Sequence, residues 1–176
     1  GHGRFGQSPG RIVAAHGVRE AGRRAALRGI GENPLVLTRA ELLETLARWE
    51  DAWNAHDLET VMALFADDVV FEHWHGARVV GAAALREAWA GWFAEPGGFR
   101  FETEDLFVDE AAQKALYRWT LDWPSVERGR EGEHERRRGV DAIAFRDGLI
   151  VEKLTYSKTV LELDGQRVRL AAPPRQ

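Results

Sequence analysis

Residues 139–156 read Gly139-Val140-Asp141-Ala142-Ile143-Ala144-Phe145, then Arg146-Asp147-Gly148, then Leu149-Ile150-Val151-Glu152-Lys153-Leu154-Thr155-Tyr156. The first run alternates as a strand does, which puts Asp141 on one face with Ile143 and Phe145. Arg146-Asp147-Gly148 is a turn signal, so the two runs are expected to pair as a hairpin. With Phe145 opposite Leu149, Asp141 falls opposite Lys153 or one residue diagonal to it, within reach of a cross-strand ion pair. A carboxylate among apolar neighbours needs such a partner, because desolvation penalises its charge. An acid and a base side by side on a sheet face point to a pocket. On this register Asp141, Ile143, Phe145, Val151 and Lys153 face one way, and Val140, Ala142, Ala144, Ile150, Leu154 and Tyr156 the other. Both faces are largely apolar and three helices cover only one, so a homodimer through the sheet is expected.

Upstream, Thr38-Arg39-Ala40-Glu41 is a capping box that starts a helix at Arg39, with Leu42, Leu46, Trp49 and Trp53 on one stripe. Asn54-Ala55-His56 breaks it. Asp57 caps a second, short helix whose buried face is read as Leu58, Val61, Met62 and Phe65, ending at Asp67-Asp68. Val69 to Trp74 is then a strand that places His73 on one face with Phe71 and His75, and Val79-Val80 is a short second strand. A third helix runs from about Ala82 to Ala94, with Leu85, Trp89, Trp92 and Phe93 inward and Pro96-Gly97-Gly98 as its stop. Phe99–Val108, Ala115–Trp123, Glu135–Phe145 and Leu149–Leu161 are long extended runs. Asp164-Gly165 turns a further small hairpin. Helices followed by a mostly antiparallel sheet give an α+β order.

The chain divides into a Gly-, Ala- and Arg-rich leader over residues 1–35, a domain over 36–163, and a hairpin return with tail over 164–176. The leader is read as an appendage, either flexible or forming a short helix over residues 11–28. At 176 residues the chain suits one domain with a single core, and 44% hydrophobic with 30% charged residues is ordinary for a globular protein. No apolar run approaches the roughly 20 residues of a membrane span, so no membrane partner is expected and a cytoplasmic location is. The absence of cysteine excludes disulfides, thiolate metal sites and thiol nucleophiles. A net charge of −4 argues against nucleic acid as partner. Three of the 24 basic residues are lysines: Lys114, Lys153 and Lys158.

With that order of elements, two stretches resemble a known family. Trp53-Asn54-Ala55-His56-Asp57-Leu58 with Ala63-Leu64-Phe65-Ala66-Asp67-Asp68-Val69 resembles the opening of the nuclear transport factor two-like superfamily. Gly139-Val140-Asp141 with Arg146-Asp147-Gly148-Leu149-Ile150-Val151-Glu152-Lys153 resembles the closing hairpin of its SnoaL-like branch. Together they cover roughly residues 39–160. The resemblance implies a cone-shaped, cystatin-like α+β barrel: three helices packed in a strongly curved, mostly antiparallel sheet, with a pocket between. The branch includes polyketide cyclases, and ketosteroid isomerase is a relative. By that likeness Asp141 falls on the isomerase's oxyanion-binding aspartate, a group whose raised pKa is an established example of pKa tuning. The isomerase's tyrosine falls on Trp49, which donates but does not titrate, and its general base falls on His73. Those two departures argue against a ketosteroid isomerase as such.

The expected pocket is lined by Trp49, Phe71, His73, Asp141, Ile143, Lys153 and Thr155, with Trp119 and Tyr117 as further ligand-binding candidates. Asp141, His73 and Lys153 are the catalytic candidates. A blander reading makes Asp141 and Lys153 a structural pair and the tryptophans core. His73-x-His75 spacing could ligate zinc, but a third ligand is not evident, so no metal and no cofactor is expected. Arg136-Arg137-Arg138 is read as solvated arginines paired with Glu133 and Glu135. The expected function is proton-transfer chemistry (isomerisation, cyclisation or water addition) on an apolar carbonyl or polycyclic small molecule. The alternative is a ligand-binding or protein-interaction module of the same fold.

Overall fold

Thr38 caps the first helix, α1 (Arg39–Asn54). Its hydroxyl accepts from the Glu41 N–H while the Glu41 carboxylate accepts from the Thr38 N–H, the expected capping box. The stripe Leu42, Leu46, Trp49 and Trp53 is buried, as its helical spacing requires. Asp57 caps the short α2 (Leu58–Met62) by accepting from the N–H and hydroxyl of Thr60. The chain continues through β1 (Phe65–Glu72), β2 (Arg78–Val80) and α3 (Ala82–Ala94), which buries Leu85 and Trp89. Then follow β3 (Arg100–Asp109), β4 (Lys114–Pro124), β5 (His134–Arg146), β6 (Leu149–Ser157), β7 (Val160–Leu163) and β8 (Gln166–Arg169). This computed structural model describes residues 34–94 and 98–170; the expected leader helix over 11–28 lies outside the described residues.

The strands order as β2-β1-β6-β5-β4-β3, with β1 parallel to β6 and the other neighbours antiparallel. The small hairpin β7–β8 attaches to the start of β5, with Glu135 opposite Leu163. Register shifts interrupt β1–β6, β3–β4 and β5–β6. Each extra residue bends its strand and adds twist, so the sheet curls strongly around the helices, the α+β architecture read from the sequence. Helix α1 covers the β3 edge: the Asn54 amide donates to the Phe101 carbonyl at 2.9 Å, and its oxygen accepts from the Phe101 N–H at 2.8 Å. An edge strand so occupied offers fewer free groups to another chain.

Several expectations about register are corrected. The β5–β6 turn is two residues long, Asp147 and Gly148 with φ of 51° and 80°, so Arg146 rather than Phe145 lies opposite Leu149. That register also sets Phe145 opposite Ile150; a bulge at Val151 then shifts it by one, placing Ala144 opposite Glu152, Ile143 opposite Lys153 and Asp141 opposite Thr155. Ile150 therefore points into the core, fully buried, and Val151 is the half-buried residue, the reverse of the simple alternation. Lys153 keeps its inward face because the bulge restores the phase below it. Phe65 opens β1 instead of closing α2, since the Leu64 carbonyl and Phe65 are already paired with Ile150 of β6. Strand β1 ends at Glu72, and His73–Ala77 forms the turn to β2, closed by His73 N–H to the Ala77 carbonyl at 2.9 Å. The run expected as one strand from Leu149 to Leu161 breaks after Ser157, where the chain crosses to the far end of the long β5.

Gly139 is required by a close approach. It lies opposite Trp119, and a Cβ there would collide with the Trp119 ring and the Tyr156 carbonyl oxygen. The indole thus lies across β5 in space that any other residue would occupy.

Candidate functional site

Asp141, Thr155 and Lys153 meet on the inner face of β5 and β6. The Lys153 ammonium lies 3.0 Å from Asp141 Oδ2 and donates to the Thr155 hydroxyl at 2.7 Å. That hydroxyl donates in turn to Asp141 Oδ1 at 2.7 Å, so each carboxylate oxygen has one donor. The side chains of Lys153 and Asp141 are 7% and 1% exposed. The register explains the triangle: Asp141 faces Thr155 directly, and Lys153, two residues earlier on β6, reaches back diagonally. Phe71 of β1 is the partner of Lys153 on its other side. The ammonium sits 5.1 Å from the Phe71 ring centroid and 5.4 Å from that of Trp49, both within cation–π range. Burial holds the Lys153 ammonium below the usual lysine range, while the adjacent Asp141 carboxylate acts in the opposite direction.

This triangle forms part of the wall of a cavity of about 280 Å³. The rest is mostly aromatic: Trp49, Trp53, Phe71, Trp89 and Trp119 contribute, with His73, Trp74 and His75 from the β1–β2 turn. Neighbouring rings meet edge to face, Trp53 on Trp89 at 5.0 Å and Phe71 on Trp89 at 5.2 Å, a geometry favoured by ring quadrupoles. The His73 ring packs at a tilt against Trp74, with centroids 4.0 Å apart, and against His75 at 3.9 Å. Burial pushes its imidazole down to about 4, assisted by the charges of His75, Lys153 and Arg137. Near neutral pH His73 is therefore uncharged and able to accept a proton.

Of the residues singled out in the sequence, Trp49, Phe71, His73, Trp119, Asp141, Lys153 and Thr155 line the cavity. Ile143 and Tyr117 do not. Ile143 lies nearer the hairpin turn than Asp141 and is sealed in the hydrophobic core. Tyr117 stands opposite Asp141 on β4, but its ring packs edge-on behind Trp49 at 5.2 Å, and its hydroxyl accepts from Thr103 at 3.2 Å. Burial pushes its phenol above the usual range, so it supports Trp49 as a neutral group. The sequence reads the tryptophans as mostly core, with a minority in the pocket; Trp53 and Trp89 fill the core and face the cavity as well.

Arg137 differs most from expectation. Instead of being solvated, it is 1% exposed, while Arg136 and Arg138 lie on the outer face. Its Nε donates to Glu135 at 2.6 Å, its Nη2 reaches Glu127, and its Nη1 lies 3.3 Å from the Ser157 hydroxyl. The second Glu135 oxygen accepts from Ser125 at 2.7 Å. The guanidinium also lies over Trp74, 4.5 Å from the ring centroid, which steadies the turn that lines the cavity. Every polar arm of this cluster is matched within the protein, whereas the Lys153 triangle forms part of a cavity wall. Among the described residues, no three His, Asp or Glu side chains group as a metal site, and no helix is long and apolar enough to cross a membrane.

Residues 46–153 match the SnoaL-like domain family, and the chain belongs to that family. An NTF2-like protein of unknown function from Mesorhizobium loti is 29% identical over 68% of this chain and 92% of its own, with a TM-score of 0.55. A candidate ketosteroid isomerase from Kribbella flavida is 20% identical over 78% of this chain and 84% of its own, with a TM-score of 0.55. An LEH-like epoxide hydrolase from M. tuberculosis is 18% identical over 68% and 84%, with a TM-score of 0.56. The last two similarities concern the fold. No match is found among curated proteins.

The His73 imidazole should titrate by NMR with a midpoint near 4 instead of the ordinary 6.5. In the unfolded chain it binds its proton below about 6.5. Its contribution to stability is therefore complete above that pH and is lost as pH falls towards 4. His73→Asn should flatten that part of the stability–pH profile. A midpoint at or above 6.5 would show that the ring is not shielded as described.

Proposed function

We propose that this SnoaL-like protein is a small-molecule enzyme that performs proton-transfer chemistry on an apolar carbonyl or polycyclic ligand held among the cavity tryptophans. The observation that carries the reading is the opening of the Asp141–Lys153–Thr155 triangle onto an aromatic cavity. A buried ion pair adds little stability over apolar residues of the same volume, so its position at a cavity wall favours a chemical role. Flat aromatic walls suit a planar ligand, and about 280 Å³ suits a small one. His73 or Asp141 moves the proton, and the Lys153 ammonium stabilises oxyanion charge as it develops on the carbonyl. Distant relatives of this fold include isomerases, cyclases and epoxide hydrolases, which is consistent with acid–base work in the same kind of pocket.

The fused bicyclic ketone 2-tetralone is a suitable probe. In D2O the protein should accelerate deuterium exchange at the carbons beside its carbonyl, followed by NMR. Asp141→Asn and His73→Ala should each lose at least about 100-fold of that acceleration, the lower range for a general acid or base. Both variants should still bind the probe, read as quenching of tryptophan fluorescence. Quenching without exchange in the natural sequence would instead indicate a ligand-binding module.

We also propose that two copies pair through the outer face of the sheet. Phe107, Leu116 and Tyr156 are 56%, 48% and 53% exposed there, beside half-buried Ala142, Ala144 and Leu154. A contiguous apolar patch of this kind, unlike scattered exposed residues, calls for a cover. Sedimentation at micromolar concentration should show a dimer that Leu116→Arg converts to monomer. A monomer at every concentration would refute the pairing.

A further inference from the structure

We propose that Lys153 is a carbonyl-capturing nucleophile, forming an iminium with an aldehyde or ketone held in the cavity. The proposal rests on the carbonyl-ligand reading of the cavity and adds a covalent step to it. Four observations converge on the Lys153 nitrogen. It is buried and lines the cavity, where a ligand carbonyl can approach. A carboxylate able to take and return its protons lies 3.0 Å away. A hydroxyl 2.7 Å away fixes its direction. The Phe71 and Trp49 rings, 5.1 and 5.4 Å away, favour a delocalised cation as they favour the ammonium. Desolvation in an apolar pocket is a recognised way to make a lysine nucleophilic, and burial acts on Lys153 in that direction.

The steps balance around Asp141. The ammonium first passes a proton to the carboxylate, leaving a neutral amine beside a carboxylic acid. The amine nitrogen bonds to the carbonyl carbon and the carbonyl π pair moves to oxygen. That oxygen takes the proton from Asp141, and the nitrogen returns one to it, giving a neutral carbinolamine. Asp141 then protonates the hydroxyl, the C–O bond breaks, water leaves, and the nitrogen lone pair forms the C=N bond. The sum is ammonium plus carbonyl giving iminium plus water, with the carboxylate restored. Positive and negative charge appear and disappear together at every step, so the site keeps a net charge of zero and no buried charge is left without a counter-charge. The iminium also acidifies the adjacent C–H, whose proton the neutral His73 imidazole, lining the same cavity, can accept to leave an enamine.

The chain is well suited to a direct test, because it has no cysteine and only three lysines, and Lys114 and Lys158 are exposed. The full chain is incubated with 6-methoxy-2-naphthaldehyde and cyanoborohydride, which reduces any iminium to a stable secondary amine, and the adduct is located by peptide mass mapping. Binding of the aldehyde is followed in parallel by quenching of tryptophan fluorescence. Lys153 should be modified at least about tenfold faster than Lys114 or Lys158, as expected for a positioned, desolvated amine. Lys153→Met should keep the quenching and lose that adduct, and the mapping of the natural sequence decides the matter if the variant does not fold. Quenching with no adduct at Lys153 overturns the covalent step and leaves the proton-transfer reading standing. No quenching overturns both, because the cavity then does not take an aromatic carbonyl compound.

Discussion

Asp141 and Lys153 leave water together, and that shared desolvation constrains the sheet around them. Either charge buried alone would cost several kcal/mol, so each must find the other within contact distance. A slip of one residue between β5 and β6 would send Lys153 to the outer face and leave Asp141 unpaired. The two-residue turn and the bulge at Val151 together give the register in which Lys153 reaches Asp141 with Thr155 completing the triangle. Gly139 allows Trp119 to lie flat on β5 nearby, and β1 brings Phe71 against the ammonium from the other side. The cavity is the space these constraints leave between the curved sheet and the helices.

Much of this was legible because the signals were local. Thr38 and Glu41 announced α1, the 3.6-residue spacing of Leu42, Leu46, Trp49 and Trp53 gave its buried stripe, and period-two alternation put Asp141 inward. The ion pair could be anticipated since an inward carboxylate needs a partner and Lys153 was the cation at reach. The bulge could not: Ile150 and Val151 are both apolar and β-branched, so composition does not say which of them turns inward. His73 was placed on a strand face, yet the strand stops one residue earlier, because the Ala77 carbonyl closes a turn onto it. Ile143 has the right alternation for the cavity, but its height on the sheet puts it in the core. Such heights depend on how the whole sheet curls, which no short window of sequence contains.

Arg137 shows the same limit from another side. Three consecutive arginines read as a solvated patch, and two of them are on the outer face. The middle one turns inward by alternation and is made tolerable by Glu135, Glu127 and Ser157, partners supplied by its own strand, a loop and β6. Two buried charge clusters thus occupy one protein with different surroundings. The Arg137 cluster is closed on itself and fixes the turn bearing Trp74, whereas the Lys153 cluster presents its charges to a cavity. Satisfied networks rigidify; a charge facing an apolar cavity remains available to a ligand.

The central claim is that Asp141 and Lys153 act as one buried, coupled pair. A double-mutant cycle with Asp141→Asn, Lys153→Met and the two combined, measured by urea unfolding, tests it most directly. Each single change should cost on the order of 3–5 kcal/mol by stranding its partner, and the double should cost far less than their sum. Additive losses, or two nearly neutral single changes, would contradict the pairing and the site built on it.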